Sequence, residues 1–65
     1  MPSDVRYSDV KKLLESNGWH LDRIRGSHHV FARLGKRNIV IPIHGKNVRY
    51  VYVRQIQKII EEERD

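Results

Sequence analysis

The sequence predicts an α+β domain in which two helices cover one face of a three-stranded antiparallel sheet. Apolar residues recur at helical spacing near both ends of the chain, and the middle holds short segments rich in β-branched and aromatic residues. With 65 residues the chain is expected to form a single domain, residues 1–65. Because one apolar sheet face must be buried, both helices are expected on that face, in a two-layer α-β-β-β-α order.

The first helix is predicted from Val10, Leu13 and Leu14, which recur at helical spacing. Ser8 is placed to cap its N-terminus. The Asn17-Gly18 pair supplies a left-handed stop.

Three strands are predicted from the segments WHLDRIR, HHVFARL and NIVIPI, which the turn sequences GS and GKRN separate. Pro42 has no backbone N–H group, so the third strand is expected to end there or to lie at an edge. His28 shares its parity with Val30, a typical core residue, so alternation alone predicts that His29 is the exposed histidine. A twist or bulge at the Gly-Ser turn would free His28 instead.

The closing helix is predicted from apolar residues at helical spacing, namely Val53, Ile56, Ile59 and Ile60. The tail EEERD, residues 61–65, places acidic residues where they oppose the helix dipole. A frayed, solvated end is therefore expected, and shielding of basic residues is the alternative. Trp19 and Phe31 are expected in the core, with stacking on nucleobases as the alternative.

The positive charge is concentrated in the middle of the chain. Residues 23–60 hold nine basic residues and no acidic residue, although the whole chain has eight acids. The nine are Arg23, Arg25, Arg33, Lys36, Arg37, Lys46, Arg49, Arg54 and Lys58. Such a segment attracts a polyanion or an acidic protein, and a merely solvated surface is the alternative.

His28 is the candidate for chemistry, because it follows the Gly26-Ser27 turn directly. The turn can fix its imidazole, the Ser27 hydroxyl can orient the ring or contact a phosphate, and histidine titrates near neutral pH. These properties suit a general acid or base, and a structural role is the alternative. Any such site in so short a chain is expected to be shallow and open to a macromolecule.

No metal site and no cofactor are expected. Adjacent strand residues point to opposite faces, so His28 and His29 do not share one ion, and no carboxylate lies within residues 23–60. The chain has no cysteine, which excludes disulfides and thiolate metal sites and favours the cytoplasm. Its longest apolar run, IVIPI, is too short to span a membrane, and no signal peptide is recognisable at the N-terminus.

The string LLESNGWHLDRIRGSHHVF resembles the opening of the HicA toxin family, and IPIHGKNVRYVYVRQIQKII is similar to its second half. The match covers nearly the whole chain. It implies a fold like a double-stranded RNA-binding domain, ribonuclease activity on mRNA, His28 as the catalytic histidine and His44 in a supporting or RNA-contacting role. Residues 50–52, Tyr-Val-Tyr, depart from the Pro-Gly-Thr-like helix start of that family, which leaves the start of the last helix open.

The resulting hypothesis is a metal-independent endoribonuclease toxin with His28 as general acid or base, neutralised by a HicB-type antitoxin. Ser27 and His44 are the supporting candidates. The residues expected to bind RNA phosphates are Arg23, Arg25, Arg33 and Lys46. Two alternatives stay open: a non-catalytic RNA-binding module of the same fold, and a protein-interaction domain whose basic surface meets an acidic partner.

Overall fold

The computed structural model describes residues 4–64 and has the predicted α+β architecture of two helices and a three-stranded antiparallel sheet. Asp65, the last residue of the acidic tail, lies outside the described residues. The elements in chain order are β1 (Val5–Arg6), α1 (Tyr7–Ser16), β2 (His20–Arg25), β3 (His28–Ala32), β4 (Ile39–Pro42), β5 (Asn47–Val48) and α2 (Tyr50–Glu62). Neither helix is long and apolar enough to cross a membrane.

Helix α1 ends as predicted but begins differently. Its N-cap residue is Arg6, and no side chain caps it, so the prediction that Ser8 caps the helix was wrong. Ser8 lies in the first turn. At the other end, the Gly18 amide donates to the Glu15 carbonyl at 3.2 Å and the Trp19 amide to the Leu14 carbonyl at 3.0 Å. This is a Schellman motif, and the φ of +88° at Gly18 is the left-handed conformation that it requires.

The sheet has the order β2-β3-β4, with both neighbouring pairs antiparallel. Strand β4 ends at Pro42 and lies at an edge, so the prediction for this proline is confirmed. Phe31 is opposite Leu21 and Ile39 and joins the core, whereas Val30 is opposite the half-exposed Val40.

The faces that alternation alone predicted for β3 were therefore wrong. His28 and Val30 lie on the face of the sheet away from the helices, which we call the open face, while Phe31 and His29 lie on the helix side. Val30 is nearly inaccessible, at 4% exposure, yet it is not part of the main core cluster. Val30 is thus an apolar, buried residue of the open face, which the sequence pattern cannot distinguish from a residue of the main core.

Both helices pack on the same face of the sheet. The core cluster combines residues of α1 and α2 with residues of the sheet and of the connecting segments. Its members are Val10, Leu14, Trp19, Phe31, Ile39, Ile41, Val48, Val53, Ile56 and Ile60. Trp19 and Phe31 are 1% and 0% exposed, which confirms their expected place in the core. Helix α2 begins at Tyr50 without a side-chain cap.

Residues 61–63 of the acidic tail are not frayed, contrary to the prediction. Helix α2 runs to Glu62, and Glu62 and Glu63 form ion pairs with Arg37 at 3.3 Å and Lys36 at 3.5 Å. These pairs join the end of α2 to the β3–β4 connection. Coulombic attraction to this turn offsets the unfavourable interaction of the acids with the helix dipole.

A second, two-stranded ladder was not predicted. Strand β1 pairs antiparallel with β5, with Val5 opposite Val48 and Arg6 opposite Asn47. The Tyr7 amide also donates to the Lys46 carbonyl at 2.8 Å. The ladder holds the beginning of α1 against the loop that follows β4.

Candidate functional site

His28 is the first residue of β3 and lies on the open face at the hairpin end of the sheet. The two-residue turn Gly26-Ser27 precedes it, and Gly26 adopts a φ of +57°, which glycine reaches without steric cost. His28 pairs with Arg25 on one side and with Pro42 on the other. Its side chain is exposed to solvent. An imidazole in this position is accessible to a large substrate.

Two arginines share the open face with His28. Arg25 is directly opposite His28, and Arg23 is opposite Val30. Arg23 and Arg25 are two residues apart and therefore face the same way. A β-bulge between Leu21 and Arg23 adds one residue to β2, so Leu21 faces the helices while both arginines face the open side.

The charge of these two arginines is little compensated. Arg25 has no ion-pair partner within residues 4–64. Arg23 lies 3.9 Å from Asp22, and this pair is solvent-exposed and therefore weak. Both guanidinium groups are available to an anionic ligand.

The loop after β4 brings two further candidates to the same end of the sheet. The Ile43 amide donates to the Ser27 carbonyl at 2.7 Å, so this loop runs beside the hairpin turn. His44 is the next residue, and its backbone exchanges two hydrogen bonds with Asn47 at 2.8 and 3.0 Å. Lys46 is exposed on this loop. The Ser27 hydroxyl makes no hydrogen bond to residues 4–64.

Arg33 is not part of this group. It follows β3 at the opposite end, about 17 Å along the strand from His28, given roughly 3.3 Å per residue. Its guanidinium donates to the Glu63 carbonyl at 3.2 Å and lies against Gly18. In this position Arg33 joins the C-terminal ends of both helices.

Sequence reasoning missed a contact between Tyr7 and His29. The Tyr7 hydroxyl and the His29 Nδ1 atom are 2.8 Å apart, and the two rings meet edge to face with centroids 4.6 Å apart. His29 is half-buried on the helix side of β3. The two residues lie 22 positions apart, so no local sequence pattern indicates their contact.

His29 is expected to make stability depend on pH. Burial lowers the pKa of His29 below its usual value of about 6.5, and the Lys11 charge lowers it further. The unfolded chain then binds a proton more readily than the folded one, so the free energy of unfolding falls as pH drops below about 6.5. We expect the urea midpoint to decrease between pH 7.5 and pH 5.5, and to decrease less in a His29→Gln variant.

The matched control for this measurement is His20→Gln, which removes an exposed histidine at the far end of the sheet. It should retain the wild-type pH dependence. An equal decrease in wild type and His29→Gln would show that His29 does not cause it.

Among the described residues, no group of three His, Asp or Glu side chains is arranged to hold a metal ion. The groups at this end of the sheet are imidazoles, cations and a hydroxyl. They can hold a phosphate and exchange a proton with it.

Comparison with known proteins agrees with the resemblance seen in the motifs. The family model described as "HicA toxin of bacterial toxin-antitoxin" matches residues 7–61, which include both helices up to Glu61 and all strands except β1. No curated protein and no solved structure matched the chain. The likeness to a double-stranded RNA-binding domain thus stays a prediction. The chain belongs to the HicA toxin family, and it is a toxin of a toxin-antitoxin system.

Proposed function

We propose that this toxin is a metal-independent endoribonuclease that cleaves mRNA, and that His28 is its general acid or base. One observation carries the proposal: an exposed imidazole lies directly opposite Arg25, a cation with no ion-pair partner within residues 4–64. A phosphate held by the guanidinium would lie beside a group that can transfer a proton.

The reaction requires two proton transfers at the reacting phosphate, one from the attacking hydroxyl and one to the leaving oxygen. A base removes the proton of the 2′-hydroxyl, whose oxygen attacks the adjacent phosphorus and forms a 2′,3′-cyclic phosphate. The bond to the 5′-oxygen breaks, and an acid protonates this leaving oxygen. Arg23 and Arg25 would stabilise the negative charge of the phosphorane. His28 would serve as one of the two proton carriers, with His44 on the neighbouring loop as the candidate for the other.

The antitoxin is proposed to be a HicB-type protein that covers the open face. Arg23 and Arg25 offer positive charge to its acidic side chains. Val40, which is 54% exposed, offers an apolar contact on the same face, across β3 from Arg23. A partner bound across these residues would occlude His28. Inhibition would then follow from blocked access rather than from unfolding.

A non-catalytic RNA-binding module is the second candidate. The observation that favours it is that the His28 side chain makes no hydrogen bond with any residue in the range 4–64. Catalytic imidazoles are usually oriented by a second group. In this alternative the basic residues only bind phosphates.

Cleavage of RNA by the purified protein in EDTA tests the proposal. We expect a long unstructured RNA to be cut into fragments with 2′,3′-cyclic phosphate and 5′-hydroxyl ends. The same sequence with 2′-O-methyl groups should bind but stay intact, because the attacking hydroxyl is absent. Binding without cleavage of either substrate would establish the RNA-binding module instead, with log K falling by roughly 0.7 per phosphate contact for each tenfold rise in salt.

A further inference from the structure

A cavity of about 360 Å³ lies on the helix side of the sheet, between the beginning of α1 and the loop after β4. This volume is within the range of about 300–1,000 Å³ that is typical of small-ligand sites. Tyr7, His29, Ile43 and Gly45 are among the residues that line it. The cavity is near the hairpin end of the sheet, but on the face opposite to that of His28.

Backbone hydrogen bonds fix the walls of the cavity. The Tyr7 amide donates to the Lys46 carbonyl, and the Ile43 amide donates to the Ser27 carbonyl. The β1–β5 ladder also joins the beginning of α1 to the loop after β4. The site is therefore formed before any ligand binds, which lowers the entropic cost of binding.

The hydrogen-bonded pair of Tyr7 and His29 gives the cavity polar selectivity. If the Tyr7 hydroxyl donates to Nδ1, then Nε2 of the neutral ring carries a proton and is a donor. If Nδ1 is the donor, Nε2 is an acceptor and the Tyr7 hydroxyl keeps its own proton to donate. Each arrangement offers directed hydrogen bonding beside an aromatic ring and the apolar Ile43.

The charge at the cavity is positive. Arg6 and Lys46 line it, and none of its lining residues within 4–64 is acidic. Neither cation has an ion-pair partner in that same range. Cations next to an aromatic, apolar recess suit a nucleotide, whose phosphate is anionic and whose base is flat and polar only at its edges. The volume of the cavity also exceeds what an inorganic anion alone would need.

We propose that this cavity binds one nucleobase of the RNA strand, with the attached phosphate held by Lys46 and Arg6. The inference rests on the proposed function, since RNA is the ligand in both. The strand would pass around the hairpin end of the sheet, from the phosphate at His28 to a neighbouring base in the cavity. Ile43, which lines the cavity and bonds to Ser27, lies on that path.

The test is an NMR titration of the ¹⁵N-labelled protein with the four nucleoside 5′-monophosphates and, separately, with inorganic phosphate. At least one nucleotide should shift the signals of Tyr7, His29 and Gly45, and should bind more tightly than phosphate. A Tyr7→Phe variant should bind this nucleotide about tenfold more weakly, as expected for one lost hydrogen bond, and should bind the other nucleotides almost unchanged.

Two further variants separate the contributions of base and charge. Lys46→Gln should weaken all nucleotides and phosphate alike. Lys58→Ala, which removes an exposed cation from α2, is the matched control and should leave the cavity signals unchanged. An unaltered amide spectrum outside the cavity verifies that each variant is folded.

Two results would overturn the inference. One is that phosphate shifts the same signals with the same affinity as every nucleotide. The other is that the nucleotides shift only open-face residues such as His28 and Val40. Neither result bears on cleavage, which is measured separately on long RNA, so the inference and the proposed function can fail independently.

Discussion

Replacing His28 with alanine is expected to slow RNA cleavage in EDTA by roughly 10²–10⁴-fold, the usual effect of removing a general acid or base. Affinity for uncleavable 2′-O-methyl RNA should change much less, because the arginines that hold the phosphate remain. The measurement compares the cleavage rate with the binding constant for wild type and variant. A loss confined to the rate identifies a proton carrier.

The control for this variant is His20→Ala. His20 is exposed and begins β2 at the end of the sheet remote from His28, so its removal should leave the rate unchanged. His29→Ala is unsuitable, because it breaks the hydrogen bond to Tyr7 and would confuse folding with catalysis. If His28→Ala retained the wild-type rate, another group would carry the proton.

Replacing Phe31 with alanine is expected to destabilise the domain by about 3–5 kcal/mol. Phe31 is fully buried, in the middle of the cluster that joins the sheet to the helices. The free energy of unfolding of small domains is only about 5–15 kcal/mol in general, and a short chain is expected near the lower limit. Most of the stability would be lost, which urea denaturation followed by circular dichroism measures.

Val40→Ala is the matched control, since Val40 lies on the open face and is 54% exposed. It should change the unfolding free energy by less than about 1 kcal/mol. Equal effects of the two substitutions would mean that the open face is as tightly packed as the helix side. That result would contradict the assignment of the two faces.

The order of the two helices and of the three strands of the main sheet was predictable because helical spacing, turn residues and Pro42 are local signals. The faces of β3 were not predictable, because Val30 and Phe31 are both apolar and both buried, although only Phe31 belongs to the core cluster on the helix side. Alternation of apolar and polar residues cannot separate two buried neighbours. Alternation alone thus placed His28 at the correct turn but on the wrong face.

The rest of the site depends on contacts between distant segments. The Tyr7–His29 hydrogen bond and the ion pairs of Glu62 and Glu63 join residues more than 20 positions apart. Arg33 belongs to the same basic run as Arg25, and only the folded chain separates the two. Net charge along the sequence therefore predicted an anionic partner but could not locate its binding surface.

The bulge in β2 also means that deletion of Asp22 would affect the open face differently from deletion of a nearby residue. Loss of the codon for Asp22 would straighten the strand, leaving Arg23 opposite Val30 and Arg25 opposite His28. Loss of the codon for Ile24 would shorten the chain equally, but it would turn Arg23 toward the helices and bring Asp22 to the open face. Two deletions of the same length, two positions apart, would thus have opposite consequences for a basic surface.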